Sequence, residues 1–126
     1  MSVKAISKNV RISPRKVAIV ASLVRGRSVD DALVILEHTN RRSAKAVLKT
    51  IKSAKANALH NHNYLSKGLL ISEISVTPGM SFKRYRPAAR GSANPFQRRS
   101  SHIRVVIDGS IRETVKPAVT NLKEKK

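Results

Sequence analysis

The chain has 126 residues, 40% of them hydrophobic, enough for one domain with a modest core. Its 26 Lys and Arg against 7 Asp and Glu leave a formal net charge of +19, a surplus that opposes a compact free state and favours a polyanionic partner, either nucleic acid or an anionic membrane surface. Cysteine is absent, which excludes a disulfide framework and thiolate metal sites, and the longest apolar run, Val17 to Val24, is far below the ~20 residues that span a bilayer.

In chain order, Val3 to Ile12 mixes β-branched and basic residues and predicts a strand. Ser13-Pro14 then predicts a helix start, with Ser13 accepting an orphan backbone N–H and Pro14 losing nothing by lacking its own. This helix is expected to run to about Arg25, with Val17, Val20, Ala21 and Val24 on one face and Gly26 closing it in the left-handed conformation. Arg15 and Lys16 fall in its first turn, where the helix dipole disfavours cations by up to about 1 kcal/mol, a cost that an outside anion would offset. Met1 to Val29 lacks acids, as an organelle transit peptide does, yet it carries the capping and core signals of a folded segment, so a cytoplasmic location is expected over an organellar one.

Ser28 with Asp31 predicts a capping box and a short helix with an apolar stripe at Val29, Ala32, Leu33 and Leu36. From Arg41 to about His60 the helical period is clearest: Ala44, Val47, Leu48, Ile51, Ala54 and Ala58 share one face, and Arg41, Arg42, Lys45, Lys49, Lys52 and Lys55 the other. No acid stands at helical spacing to pair with these cations, so a continuous unpaired basic strip is expected. The competing reading is a solvated face.

Leu69 to Thr77 and the alternation of Ile103, Val105 and Ile107 predict two strands around the most basic stretch of the chain. Between Thr77 and His102 lie three of the 5 prolines, the aromatic residues Phe82, Tyr85 and Phe96, and Lys83, Arg84, Arg86, Arg90, Arg98 and Arg99, with no acid from Ile74 to Ile107. The Pro/Gly punctuation from Pro87 to Gly91 lies near the middle, so residues 78–102 read as a hairpin with arms of roughly 10 residues, reaching on the order of 30 Å. An isolated ribbon is marginal in water, so a partner is expected to order it, and guanidinium groups with aromatic rings suit phosphate and unpaired bases. Asp108-Gly109 turns the chain, and residues 110–126 are expected to form a basic flexible tail. The order of elements predicts an α+β fold: one domain over residues 1–109, three helices packed on a three-stranded antiparallel sheet, with a long extended β-hairpin.

No catalytic constellation emerges. Asp30 and Asp31 are explained by helix capping, the other acids are scattered, and His60 and His62 point about 200° apart on a helix, so neither an enzyme, a metal site nor a cofactor is expected. The two helices joined by Arg25-Gly26-Arg27 have the spacing of a helix-turn-helix, which keeps open the alternative of a basic DNA-binding architectural protein. The second helix is a poor groove reader, because it opens on acids.

The blocks RISPRKVAIVASLVRGRSVDDALVIL from Arg11, SAKANALHNHN from Ser53, KRYRPAARGSA from Lys83 and RRSSHIRVVI from Arg98 together resemble the universal ribosomal protein of the large subunit numbered twenty-two, over roughly Val3 to Gly109. The resemblance implies a structural protein that binds large-subunit rRNA, supports assembly, meets neighbouring ribosomal proteins, and sends its hairpin along the nascent-peptide exit tunnel, with no membrane role and no homo-oligomer. Read together, the basic strip, the hairpin and this resemblance make Arg11, Ser13, Arg15, Lys16, Lys45, Lys49, Lys52, Lys83, Arg84, Arg86, Arg90, Arg98, Arg99 and His102 the expected rRNA contacts. The expected tunnel tip is Pro87, Ala88, Ala89, Arg90, Gly91 and Ser92, facing the nascent peptide. The chain departs from many members in having Ala88 and Ser92 where they are basic, and Arg86 where they are apolar.

Overall fold

In the computed structural model, which describes residues 2–110, a strand β1 (Val3–Val10) leads into helices α1 (Pro14–Val24), α2 (Val29–His38) and α3 (Arg42–Asn61). Two long strands follow, β2 (Leu70–Pro87) and β3 (Ala93–Asp108), joined through a short 3-10 turn at Ala89–Gly91. The expected α+β fold, three helices with a three-stranded antiparallel sheet, is what forms, in the order β1-β3-β2. Of the expected tail, residues 111–126 lie outside the described ones.

The core sits where the periods of strand and helix coincide. Ile103, Val105 and Ile107 of the central strand are fully buried, flanked in register by Val3 and Ala5 on β1 and by Ile71 and Ile74 on β2. Above them lie the apolar faces of α1 and α3, with Val17, Val20, Ala21, Val24, Val47, Ile51 and Ala54 all at 0% exposure. Burying one such branched side chain stabilises by about 1.5–3 kcal/mol. Helix α2 closes the other side of α3 with Val29, Ala32 and Leu36, while Leu33 and Leu48, expected on the apolar stripes, are only partly buried.

Several local expectations are revised. β1 stops at Val10 rather than Ile12, because Asn9 adopts a left-handed backbone (φ 55) at an irregularity in the β1–β3 register, and the Ile12 N–H then bonds back to the Val10 carbonyl at 2.7 Å. Asn is among the few residues that tolerate that conformation. Ser13 is the N-cap of α1, but its side chain makes no capping hydrogen bond; its carbonyl takes the Lys16 and Val17 N–H groups instead. At α2 the Asp31 N–H donates to Ser28 Oγ as expected, yet the Asp31 carboxylate accepts from the Ser28 hydroxyl at 2.6 Å where the reciprocal box would have it accept from the Ser28 backbone N–H.

The Arg25-Gly26-Arg27 turn does not behave as the hinge of a helix-turn-helix. Gly26 is left-handed (φ 73), and the segment runs along the edge of β2: Gly26 donates to the Ile71 carbonyl, Ile71 to that of Arg27, and Val29 to that of Leu69. The loop thereby covers a sheet edge that would otherwise offer unpaired groups to another chain. Arg25 adds a hydrogen bond to the Ile74 carbonyl at 3.0 Å.

Candidate nucleic-acid interface

β2 and β3 do not end at the sheet. The last pairing of β1 with β3 is Val10 with Ser101, and beyond it β2 and β3 continue alone from Ser81 opposite Arg99 to Pro87 opposite Ala93. The register irregularity between Pro78 and Ser81 marks the point of departure. There Gly79 approaches so closely that a Cβ would lie 2.7 Å from Ser100 Oγ and 3.2 Å from the His102 ring, and the Ser100 hydroxyl donates to the Met80 carbonyl at 2.6 Å.

Antiparallel pairing places Phe82 opposite Arg98, Arg84 opposite Phe96 and Arg86 opposite Asn94, so one face of the ribbon carries guanidinium groups and rings in alternation. The guanidinium of Arg84 lies 5.6 Å from the Phe82 ring centroid and that of Arg86 5.1 Å from that of Phe96. At exposed sites such contacts are worth about 0.5–1 kcal/mol each. Arg84 also donates to the Lys83 carbonyl at 2.9 Å, so part of its guanidinium is already engaged. Tyr85, 65% exposed, lies on the other face with Lys83, beside a hollow of about 330 Å³ lined also by Pro95, Phe96 and Gln97.

At the tip the Ala88 N–H donates to the Ser92 carbonyl at 2.7 Å, and the Ser92 N–H and hydroxyl both donate to the Ala89 carbonyl. Gly91 is left-handed (φ 72), as its type allows, but so is Arg90 (φ 57), which composition does not announce. The bend is thus a defined turn, with Arg90 as its charge.

The basic residues of the globular part are brought together by Arg11. One cleft of about 470 Å³ is lined by Arg11, Ser13, Lys16, Arg41, Arg42 and Ser43 among others. A second groove joins Arg11 to Arg42, Lys45 and Lys49, and a third, of about 360 Å³, joins Arg11 to Phe82, Arg84, Arg98, Arg99 and Ser100. One side chain therefore links the N-termini of α1 and α3, the outer face of α3 and the root of the arm. No acid lines any of the three.

The unpaired strip expected along α3 needs correction at its C-terminal half. Lys52 Nζ lies 3.2 Å from Glu37 and Lys55 Nζ 2.6 Å from Asp30, both acids on α2. The Lys52 pair is about half exposed on both sides (54% and 56%), so it is worth at most about 1 kcal/mol. Lys45 and Lys49 have no such partner among the described residues. His102 is also partly committed: its Nδ1 accepts the Asn9 N–H at 3.0 Å, which leaves Nε2 as the ring nitrogen open to another partner. Arg15 is exposed outside the cleft, and Arg90 stands apart at the tip. Arg41 and Arg42 were not among the expected contacts. Their signal was an arginine where a helix start calls for Ser, Thr, Asp or Asn.

Among the described residues no group of three or more His, Asp or Glu could hold a metal, and no helix is long and apolar enough to cross a membrane. The sequence model of the family Ribosomal protein L22p/L17e matches residues 5–108. The chain belongs to that family. It is 48% identical over 107 residues to a "Large ribosomal subunit protein uL22" of Oceanobacillus iheyensis, covering 85% of this chain and 95% of that protein. The protein of the same name from Desulforamulus reducens matches to the same extent, and that of Herpetosiphon aurantiacus is 46% identical over 108 residues, 86% of this chain and 96% of the other. Family membership makes the chain a structural component of the large ribosomal subunit, found with the ribosome in the cytoplasm, and not an enzyme. A DNA-binding architectural role gains no support from it.

Proposed function

We propose that the protein binds large-subunit rRNA through two regions with separate tasks: a globular clamp, and an arm that follows the nascent-peptide exit tunnel. The single observation behind this reading is the convergence of three acid-free basic grooves on Arg11. A phosphate backbone crossing the clamp meets Lys45, Lys49 and Arg42, then Arg11, then Arg98 and Arg99 at the root of the arm, along grooves that no carboxylate lines, with Glu37 in the neighbouring hollow beside Lys45 and Lys49. Phosphate contacts of this kind position an RNA without reading its sequence. By anchoring separate segments of rRNA the clamp supports subunit assembly alongside neighbouring ribosomal proteins.

The arm supplies a narrow ribbon, and small residues at Ala88, Ala89 and Ser92 keep its tip slim beside Pro87, Arg90 and Gly91. A slim bend with one cation suits a passage lined by RNA and traversed by a nascent peptide.

Two measurements test this. In rRNA-fragment binding, the double variant Lys45→Gln/Lys49→Gln should weaken affinity and flatten the slope of log K against log salt by about 1.4, some 0.7 for each lost contact to a single strand. Lys52→Gln, which loses a pair with Glu37 instead, should change the slope by less. An unchanged slope in the double variant would reduce the strip to a solvated face. Deleting Pro87 to Ala93 should leave incorporation into subunits largely intact but alter sensitivity to tunnel-binding antibiotics. Absence of the deleted form from subunits would make the tip an anchor and overturn the division of tasks.

A further inference from the structure

We infer that the cleft between the starts of α1 and α3 is a seat for one phosphodiester of the bound RNA, built from Arg11, Lys16, Arg41, Arg42 and Ser43. This deepens the rRNA-binding reading, on which it rests, by joining Arg11 and Lys16, already expected to contact rRNA, with Arg41, Arg42 and Ser43 in one discrete site.

Four observations converge. Both helices start at this cleft and neither is capped by a side chain: Ser13 makes no capping bond, and the N-cap of α3 is Arg41, whose side chain has no acceptor to offer. Neither first turn holds an acid, so the positive ends of two helix dipoles add instead of being neutralised. The backbone N–H groups of Arg42 and Ser43 find no acceptor among the described residues. The fourth is independent of the helix ends. Ser43 is only 4% exposed, lines the cleft, and its hydroxyl has no hydrogen-bond partner among the described residues. The hydroxyl is not sealed off, since among the described side chains only Ser101 Oγ is both buried and unpartnered, so it is open to the cleft and an anionic oxygen entering there would accept from it.

The physical cost is otherwise hard to place. Four cations, Arg11, Lys16, Arg41 and Arg42, share one cleft with no counter-charge, and like charges so gathered repel. A phosphodiester removes the repulsion, takes the free N–H groups and the Ser43 hydroxyl on its non-bridging oxygens, and leaves the guanidinium groups their bidentate geometry. A diester suits the cleft better than a free monoester does, because the cleft continues past Arg42 toward Lys49 and past Arg11 toward the arm, so a chain can enter and leave.

The test uses the full chain, labelled for amide NMR, and the dinucleotide uridylyl-uridine, which carries one phosphodiester, with uridine and inorganic phosphate as separate arms. Saturable shifts are expected with the dinucleotide at the amides of Arg15, Lys16, Arg42 and Ser43, smaller ones with inorganic phosphate, and none with uridine. Ser43→Ala, which changes no charge, should weaken the dinucleotide about 3- to 10-fold, and Arg42→Gln about 10-fold. Lys67→Gln, an equal charge loss on a distant exposed loop, should leave the affinity as it is. Shifts spread evenly over the basic surface, or a Ser43→Ala affinity equal to the parent's, would overturn the seat. Binding of the full chain to large-subunit rRNA over transfer RNA is measured in parallel. If it persists while the dinucleotide result fails, the seat is wrong and the rRNA reading stands. If it fails while the dinucleotide is held as expected, the seat stands and the rRNA reading falls.

Discussion

Ile103, Val105 and Ile107 of β3 lie sealed beneath helices, whereas Ala93 to Arg99 of the same strand have no layer on either face. The two halves share one backbone and one partner strand, and differ only in what their alternate side chains can do. In the domain the inward positions are Ile and Val, which gain by leaving water. In the arm they are Phe and Arg, which gain only a little from one another and keep most of their surface available. The difference teaches that strand continuity carries geometry and not stability: the core fixes where the arm starts, and the arm adds little to what holds the core.

The sharpest way to break this contrast is to cut into each half. Ile51→Ala, under the sheet at 0% exposure, should cost about 2–5 kcal/mol in urea unfolding. Phe82→Ala in the arm should stay within about 0.5 kcal/mol, as surface changes do. Equal costs would mean that arm and domain unfold as one. Hydrogen exchange separates the halves more finely. Amides of Met80 to Gln97 should exchange fast in the isolated protein, while those of Ile103 to Ile107 are protected, and the arm should become protected in the subunit. Protection of both halves in isolation would show that the ribbon needs no partner. The smallest effect compares two serines that begin helices. Ser28→Ala loses a bond to the Asp31 N–H and should cost about 1 kcal/mol, whereas Ser13→Ala, whose side chain caps nothing, should fall within about 0.5 kcal/mol. Thermal unfolding of the two variants side by side checks it.

What the residues disclosed in advance follows a physical line. Helix α3 was legible because its signal is local and periodic, and the capping Ser28 and left-handed Gly26 because each acts on its own neighbours. The pairs Lys52 with Glu37 and Lys55 with Asp30 were not, since their partners lie on another helix and meet only after packing. The left-handed Asn9 and Arg90 depend on the register around them, which no single residue type dictates. For the interface, the residue types were readable but their gathering was not. Arg11 sits between a strand and a helix in the chain, and only the fold makes it the junction of three grooves. The arginine at the N-cap of α3 broke a local rule, and such breaks tend to mark sites where something else completes the structure.

The close approach at Gly79 has a mechanical side. From there to the tip the ribbon is roughly 30 Å long, at about 3.3 Å per residue. A lever of that length turns a change of about 10° at its pivot into a displacement of about 5 Å at Arg90, comparable to the spacing between neighbouring strands. A methyl group at position 79 would meet the Ser100 hydroxyl and the His102 ring, and to make room either Ser100 turns away and gives up its bond to the Met80 carbonyl or the two strands splay at the pivot. The hydrogen atom at position 79, standing where every other residue has a carbon, therefore lets the Ser100–Met80 bond form at the pivot from which the arm takes its aim.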